Sequence, residues 1–426
     1  MRFVRGLVLG LLAATAAATA WADGSTPPWS PAGEIPLPTW ARSLVAKGSE
    51  QPILLAPRGD SERRGTAIGG MPLPIYGAAR GPGCGGRFYQ VGTSGWLCSD
   101  LVELSTSDPL PASRDGLPLA GSDALPYRYY FVGKEGANGY LDLARAGDEA
   151  PDEQLDPGFA VAVVEERIKG GETWGRTHHG PWVALRDLGA VRPSGFHGEE
   201  RSSLDFAWVL VDRSPVYASI ARGKVVGTRA KFEVVAVREE RAGSPGTGAM
   251  VRISDDGVTP PMWIDRRVLA KPTLGPLPAG VAEGERWIDV DRSTQTLVAY
   301  EGTSPVFATL VSTGKGAPGT DSATRPGTFR IWVKLTTSTM DNLEADEADH
   351  RYSMEDVPYV QFFDKAIALH GVFWHSDFGH VHSHGCVNLA PADARWLFRF
   401  TGPKLGAGMA AILPAPNDKG TVVRVR

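Results

Sequence analysis

The sequence predicts a mostly β protein, with small β modules followed by a β-rich C-terminal domain that holds one or two short helices. The 51 glycines and 33 prolines make up about a fifth of the 426 residues, which suits short strands and turns better than a helical bundle. Alternating apolar residues over 159–167 and 232–241 indicate half-buried strands. From residue 286 onward, strand-like stretches follow one another between turns rich in glycine and proline.

The N-terminus has the order of a secretory signal peptide over residues 1–22. Arg2 and Arg5 precede an apolar run from 7 to 20, and Ala20-Trp21-Ala22 follows as a small-residue cleavage site. The run of 14 residues is too short to cross a hydrocarbon core of roughly 30 Å as a helix. We therefore expect an exported protein of the periplasm or cell wall, without a stable membrane anchor; a retained anchor is the alternative.

The middle of the chain resembles a repeated unit. Tryptophans recur 86 and 81 residues apart, in the pairs Trp96-Leu97, Trp182-Val183 and Trp263-Ile264. A second pair follows each of them: Asp100-Leu101, Asp187-Leu188 and Val268-Leu269. A near-constant period indicates a duplicated module. The predicted divisions are a Pro-rich lead-in over 23–50, β modules over 51–125, 126–200 and 201–275, and the C-terminal domain over 286–426. In that last domain we predict a helix starting near Pro391 and a final strand in the C-terminal tail.

The charge balance excludes one class of partner. With 44 basic and 48 acidic residues the formal net charge is −4, so the chain has no basic excess to neutralise a phosphate backbone. We predict no nucleic-acid partner.

Three cysteines leave one thiol over if two of them pair. Cys84 and Cys98 lie close together in a Gly-rich segment, and in the chain-entropy model closing such a short loop stabilises the fold by about 3 kcal/mol. Disulfides persist in an oxidising compartment. We predict this disulfide, which makes Cys386 a candidate reactive thiol; a buried, inert cysteine is the alternative.

Five of the nine histidines lie between 370 and 384, immediately before Cys386. A cysteine attacks carbonyls as a thiolate, and a neighbouring imidazole can take its proton. His370 ends an apolar stretch, and Ser383-His384-Gly385 forms a turn before the thiol. Backbone N–H groups around Gly385 and Cys386 are candidate donors to an oxyanion.

Two other interpretations of the histidines remain open. His380, His382 and His384 would share one face of an extended chain and, with Cys386, could bind zinc. No acidic residue lies between them, and a second alternative is a structural loop. We predict no metal site and no cofactor. A separate pair, His178 and His179, precedes Gly180-Pro181 and is interpreted as part of a surface turn.

The C-terminal segment resembles the signature of the L,D-transpeptidases of the YkuD family. That signature is a His-Gly pair, here His370-Gly371, followed by a Ser/Thr-x-Gly-Cys turn, here 383–386. The spacing of 16 from histidine to cysteine matches the family. Residues 324–331 resemble the start of a family strand, with Arg325 at the usual Pro position. More weakly, the N-terminal modules resemble bacterial Src-homology-three-like barrels.

The resemblance implies a β-sandwich-like transpeptidase domain that acts on peptidoglycan stem peptides. Cys386 would attack the carbonyl before the terminal D-Ala, expel it and form a thioester, and an amine of a second stem would complete a 3→3 cross-link. Water as the acceptor would make the protein an L,D-carboxypeptidase, and a lipoprotein acceptor is a further variant. A wall-binding protein without catalysis is the alternative of another class. The N-terminal modules are expected to contact the glycan of the wall.

The resemblance also assigns roles to residues. His370 would be the general base, preferred over His375 because the latter is only 11 positions from the thiol. His384, Gly385 and Cys386 would supply the oxyanion contacts, and Ser383 would shape the turn. Asn388 replaces an arginine found in some members. The expected substrate-binding residues are Gly371, Trp374, His375, Asn388 and Tyr359.

Overall fold

The structure is a computed structural model, and it describes residues 37–92, 94–110, 124–243, 248–317, 319–320, 322–343 and 351–426. The predicted signal peptide and the first part of the lead-in lie outside these residues. The described chain contains 33 strands, one α-helix and three single-turn 3₁₀ helices, so the prediction of a mostly β protein is confirmed.

The first module is built from eight short strands. They are β1 (Ser43–Ala46), β2 (Glu50–Leu54), β3 (Arg63–Ile68), β4 (Pro72–Pro74), β5 (Gly77–Ala79), β6 (Phe88–Gly92), β7 (Gly95–Cys98) and β8 (Val102–Ser105). Their inward-facing residues form one apolar core around Leu44, Ile53 and Leu97. The predicted disulfide between Cys84 and Cys98 is present and ties the loop before β6 to the end of β7.

The middle module follows with seven strands. They are β9 (Arg128–Val132), β10 (Ala137–Tyr140), β11 (Glu153–Leu155), β12 (Ala160–Lys169), β13 (Glu172–Thr177), β14 (Trp182–Ala184) and β15 (Leu188–Ala190). β9 and β13 both pair with β12 in antiparallel fashion.

The third module has eight strands in two sheets. They are β16 (Phe206–Val209), β17 (Ser214–Tyr217), β18 (Val225–Arg229), β19 (Val234–Ala236), β20 (Glu239–Arg241), β21 (Met250–Arg252), β22 (Trp263–Asp265) and β23 (Leu269–Ala270).

The recurring tryptophans share one local structure in the three modules. Each lies in a short strand that runs directly into one 3₁₀ turn and then into another strand; these turns are 99–101, 185–187 and 266–268. The repeat seen in the sequence therefore corresponds to a repeated strand–turn–strand unit. The assignment of the modules as Src-homology-three-like barrels stays a prediction.

The C-terminal domain contributes ten strands and the helix. They are β24 (Arg286–Asp291), β25 (Thr296–Glu301), β26 (Ser304–Leu310), β27 (Gly327–Arg330), β28 (Val333–Asp341), β29 (Ser353–Asp364), β30 (Ile367–Gly371), β31 (Val387–Leu389), β32 (Met409–Ile412), β33 (Val422–Val425) and α1 (Pro391–Phe400). The predicted helix and final strand are confirmed. Pro391 lies at the first helical position, where a missing N–H costs nothing.

Two sheets of this domain enclose its core. One has the order β26–β25–β24–β33–β27, and the other carries β28 to β32. Side chains from both sheets and from α1, such as Ile288, Leu369 and Leu397, form one buried cluster. Apolar residues that alternate along strands of two facing sheets are typical of a sandwich-like arrangement, as predicted.

The N-terminal modules pack directly on this domain. β3 of the first module pairs with β32 through Gly65↔Ile412 and Thr66↔Ala411, so one sheet runs through both. The middle module touches β29, where Ala160 is paired with Met354. Strand pairing between segments more than 190 residues apart in the sequence joins the modules to the C-terminal domain.

Candidate active site

Two adjacent parallel strands bring the cysteine and the first histidine of the signature together. β30 pairs with β31 in the register Leu369↔Val387 and His370↔Asn388. Directly paired residues of parallel strands project on the same face of the sheet, and so do residues two apart on one strand. Cys386, just before β31, is therefore on the same side as His370. The Ala368 N–H donates to Cys386 Sγ at 3.4 Å, so Cys386 lies next to β30.

Hydroxyl groups hold the turn that presents the thiol. Ser383 Oγ donates to the Cys386 carbonyl and accepts the Gly385 N–H at 3.1 Å. Thr324 Oγ1 donates to the Gly385 carbonyl at 2.7 Å. Gly385 has φ of 125°, a conformation that other residues rarely adopt. Because the Gly385 N–H is used within the turn, the N–H groups of His384 and Cys386 are the remaining candidate donors to an oxyanion.

Thr324 is a support that the sequence analysis missed. Its hydroxyl also accepts the Gly314 N–H at 2.8 Å, so it ties two loops to the thiol turn. Thr324 is the first residue of the segment that resembles the start of a family strand, and this resemblance could have pointed to it. A threonine in a turn is otherwise too common to indicate a role.

The Cys386 thiol is free and partly exposed. Its remaining polar contact is with the Ala366 carbonyl at 3.8 Å, and no described histidine makes a hydrogen bond with its sulfur. Burial raises the pKa of the thiol, with the Ala368 N–H partly opposing this effect. In the free protein the sulfur is therefore protonated at neutral pH, and the predicted thiolate would form only when a base takes the proton.

His370 is a buried, neutral imidazole. Its Nδ1 donates to the Gly371 carbonyl at 3.2 Å, while Nε2 makes no hydrogen bond with the described residues. Burial lowers the pKa of His370 to about 4. This bond selects the tautomer with the proton on Nδ1, so Nε2 carries the lone pair that a proton acceptor needs.

His375 has the same kind of burial but a different set of partners. Its Nδ1 accepts the Asp377 N–H at 3.2 Å, and its Nε2 lies 3.0 Å from Asn388 Nδ2. Burial, together with the nearby His382, lowers the pKa of His375 to about 4. Both ring nitrogens are engaged, which favours His370 over His375 as the base. Asn388 is itself buried, so it supports His375 rather than facing a substrate.

Trp374 connects the two parts of the site. Its ring lies 6.0 Å from the ring of His370, and its side chain packs on the apolar cluster that includes Cys386, Val357 and Val360. The expectation that Trp374 binds substrate stays a prediction.

Tyr359 and Gly371 have structural roles in the packing of the domain. The Tyr359 side chain is 0% exposed and donates to the Ala124 carbonyl at 2.8 Å, so the expectation that it contacts substrate is corrected: it packs in the core between the sheets. At Gly371 a Cβ would lie 3.2 Å from atoms of both Ala394 and Pro358. Gly371 therefore allows close packing next to the base.

The other signature histidines point outward. His380, His382 and His384 are exposed, and the His384 ring lies 6.2 Å from the ring of Tyr352. Partial burial and the positive charge of Lys315 lower the pKa of His384. Among the described residues, the groups of three potential metal ligands within 4.8 Å do not include this run. The alternative of a His₃Cys zinc site therefore has no geometric support.

The comparisons with known proteins agree with the signature. The sequence model of the YkuD family, the L,D-transpeptidase catalytic domain, matches residues 285–425. No curated protein matches the chain. Residues 285–425 thus form a YkuD L,D-transpeptidase catalytic domain, as the residues around Cys386 predicted.

Three similar solved structures each align with about a third of this chain. An Enterococcus faecium L,D-transpeptidase has 22% identity, with 33% of this chain and 50% of that chain covered and a TM-score of 0.26. A Stackebrandtia nassauensis L,D-transpeptidase has 28% identity, coverage of 34% and 57%, and a TM-score of 0.23. L,D-transpeptidase 1 of Mycobacterium tuberculosis has 18% identity, coverage of 33% and 60%, and a TM-score of 0.24. The chain thus spans about half the length of the first of these proteins.

Proposed function

We propose that this protein is an exported cysteine L,D-transpeptidase that forms 3→3 cross-links between peptidoglycan stem peptides. The family match over 285–425 supports the reaction class. The observation that carries the proposal is the parallel pairing of β30 with β31, from which we infer that Cys386 and His370 lie on the same side of the two strands. The Nε2 of His370 makes no hydrogen bond with the described residues.

Acylation begins with proton transfer from Cys386 Sγ to His370 Nε2. The thiol rotates away from the backbone of Ala366 and Ala368, and the resulting thiolate attacks the carbonyl before the terminal D-Ala. The Cys386 N–H donates to the oxyanion. As the tetrahedral intermediate collapses, the His370 imidazolium gives its proton to the leaving amine. An imidazolium with a pKa of about 4 is a strong general acid for this step.

In deacylation His370 again acts as the base, and the proton transfers of acylation run in reverse. An acceptor amine attacks the thioester, loses a proton to His370, and Cys386 leaves as a thiol after taking that proton. Water as the acceptor would give an L,D-carboxypeptidase, and a lipoprotein amine would give a protein–wall link.

Export is part of the proposal. The pattern of residues 1–22 and a disulfide that persists under oxidising conditions both support it. Within the described residues, no helix combines the length and apolar character that a membrane span needs. We place the protein in the periplasm or cell wall, with the N-terminal modules as candidate contacts to the glycan.

Intact-protein mass spectrometry with a disaccharide tetrapeptide tests the proposal. The chain should gain the mass of the substrate minus D-Ala, the adduct should map to Cys386, and an added stem amine should convert it to cross-linked product. Cys386→Ser should form no thioester, and iodoacetamide but not a chelator should block the reaction. Unchanged substrate, or an adduct retained in Cys386→Ser, would leave the non-catalytic wall-binding alternative.

A further inference from the structure

Three side chains with metal-binding atoms converge where the middle module meets the catalytic domain. His178 Nδ1 lies 3.0 Å from Asp356 Oδ2, and His179 Nε2 lies 3.3 Å from the same oxygen. All three ligand atoms lie within 4.8 Å of one another. The histidines follow β13, whereas Asp356 lies on β29, so the cluster spans the contact between the two units.

These separations suit a first-row metal ion. Zinc binds imidazole nitrogen and carboxylate oxygen at about 2.0–2.2 Å, which sets neighbouring ligands of a tetrahedral site about 3.3 Å apart. Two imidazoles and one carboxylate leave a fourth position for water or for another oxygen ligand. The adjacent Glu355 carboxylate, which accepts the Ala162 N–H at 3.0 Å, lies on the same strand.

Neighbouring residues also orient the ligands through hydrogen bonds to their other polar atoms, as is usual in metal sites. Thr337 Oγ1 donates to Asp356 Oδ1 at 2.9 Å, which leaves Oδ2 facing the histidines. Tyr129 Oη donates to the Asp356 carbonyl at 2.6 Å. His178 Nε2 lies 3.3 Å from Tyr127 Oη, and the two rings stack with centroids 4.7 Å apart. A hydroxyl at this position can accept the Nε2–H of a histidine that binds metal through Nδ1.

An ion can reach this cluster from solvent. The Asp356 side chain is 6% exposed, but those of His178 and His179 are 44% and 52% exposed. The buried carboxylate supplies the charge, and the two half-exposed imidazoles form the open side.

We propose that His178, His179 and Asp356 form a Zn²⁺ site that fastens the middle module to β29. The strand continues to Val357 and Val360, which pack against the cluster containing Cys386. On the other side, Tyr129 stacks on Phe373 with centroids 4.0 Å apart. The ion would thus stabilise the module in the position from which it supports Phe373 and Trp374, next to His370.

Zinc binding to the full chain tests the site. All proteins carry Cys386→Ser, so that the active-site thiol cannot compete for the metal. After removal of metal with EDTA and dialysis, Zn²⁺ is titrated against a chromophoric indicator, and bound zinc is counted by elemental mass spectrometry. His179→Ala is the test variant because its half-exposed side chain can be removed without opening the core. His197→Ala, which removes an exposed imidazole elsewhere, is the matched control.

We expect one tight zinc per chain, at least about tenfold weaker binding in His179→Ala, and no change in His197→Ala. Zinc should raise the melting temperature of the parent and of His197→Ala, but much less that of His179→Ala. His179→Gln should behave like His179→Ala. Three results would overturn the proposal: no stoichiometric zinc in the parent, zinc that His179→Ala binds equally well, or binding of Mg²⁺ or Ca²⁺ in place of Zn²⁺. In each case the three residues form only a hydrogen-bonded contact.

Discussion

His370 and His375 lie five residues apart, yet different modules support them. His370 faces Trp374, whose neighbour Phe373 stacks on Tyr129 of the middle module at 4.0 Å. The polar contacts around Asp356 lie directly beside this stack. We call the contact formed by Tyr129, Phe373 and Asp356 the middle-module seam. It combines aromatic packing with a buried carboxylate, and it supports His370.

His375 is supported by a different set of residues. Its ring lies 5.3 Å from Phe378, which stacks 5.8 Å from Phe196 in the connection between β15 and β16. At Gly379 a Cβ would lie 2.4 Å from Leu210 of the third module. We call this second contact the third-module seam, and it is mainly apolar and close-packed.

Comparing the two histidines shows which property distinguishes a general base from a histidine with a structural role. Burial lowers the pKa of both to about 4, so titration alone does not distinguish them. The hydrogen bonds do, because His370 keeps one nitrogen available and His375 does not.

The largest expected effect comes from removing each imidazole in turn. His370→Ala should slow acylation of Cys386 by about 10²–10⁴-fold, the usual contribution of a general base. His375→Ala should slow it by about tenfold or less, through loss of support for Asn388. Single-turnover mass spectrometry with the tetrapeptide measures both. Equal losses in the two variants would contradict the assignment of the base.

The pH dependence of acylation sharpens the same comparison. Because burial lowers the pKa of His370 to about 4, the imidazole stays neutral and able to accept a proton well below its ordinary pKa of 6.5. The rate constant should therefore stay flat from pH 7 to about 5 and fall about tenfold per unit below pH 4. Circular dichroism at each pH controls for unfolding. A midpoint near 6.5 would mean that the base is exposed to solvent.

Weakening the seam with the middle module should affect both stability and catalysis. Tyr129→Ala removes the ring that stacks on Phe373 and should lower the free energy of unfolding by about 3–5 kcal/mol. Acylation should slow as the Phe373–Trp374 segment loses its support. Tyr130→Ala, next on β9 and half-buried, is the matched control and should leave acylation unchanged. Denaturant unfolding and single-turnover rates would separate the two effects, and unchanged acylation in Tyr129→Ala would show that the seam is only structural.

The first module offers a contrast, since its strand pairing with the C-terminal domain is at β32. Replacing Cys84 and Cys98 together by serine should lower the stability by about 3 kcal/mol, because the unfolded chain regains the entropy that closing a loop of this length removes. The acylation rate at 25 °C should stay within about twofold of wild type. A large loss of rate would mean that strain passes through the β3–β32 pairing to the site.

The smallest effect is expected at the surface of the third-module seam. Lys231 Nζ lies 3.5 Å from Asp377 Oδ1, and both side chains are substantially exposed. Lys231→Ala should change stability by less than about 1 kcal/mol, as exposed ion pairs usually do, and should leave acylation unaltered. Thermal unfolding at low and high salt measures it, and a larger change would show that this seam depends on charge as well as on packing.

Local sequence alone determined the thiol turn, the histidine 16 positions before it, the disulfide, the helix at Pro391 and the strand-rich class. These features depend on residues close together in the chain, where spacing, turn residues and alternation set the backbone directly. Local pattern therefore predicted the chemistry of the site, while the choice between His370 and His375 rested on spacing and on the family signature until their partners were visible.

Only the tertiary structure decided which surface covers each residue. Tyr359 became a core residue, and His178 and His179 met a carboxylate 178 and 177 positions away. The pairing of β3 with β32 joined two units that the sequence presents as separate. An alternating pattern shows which face of a strand is buried, but the partner that buries it comes from packing between distant segments, and packing leaves no local mark in the sequence.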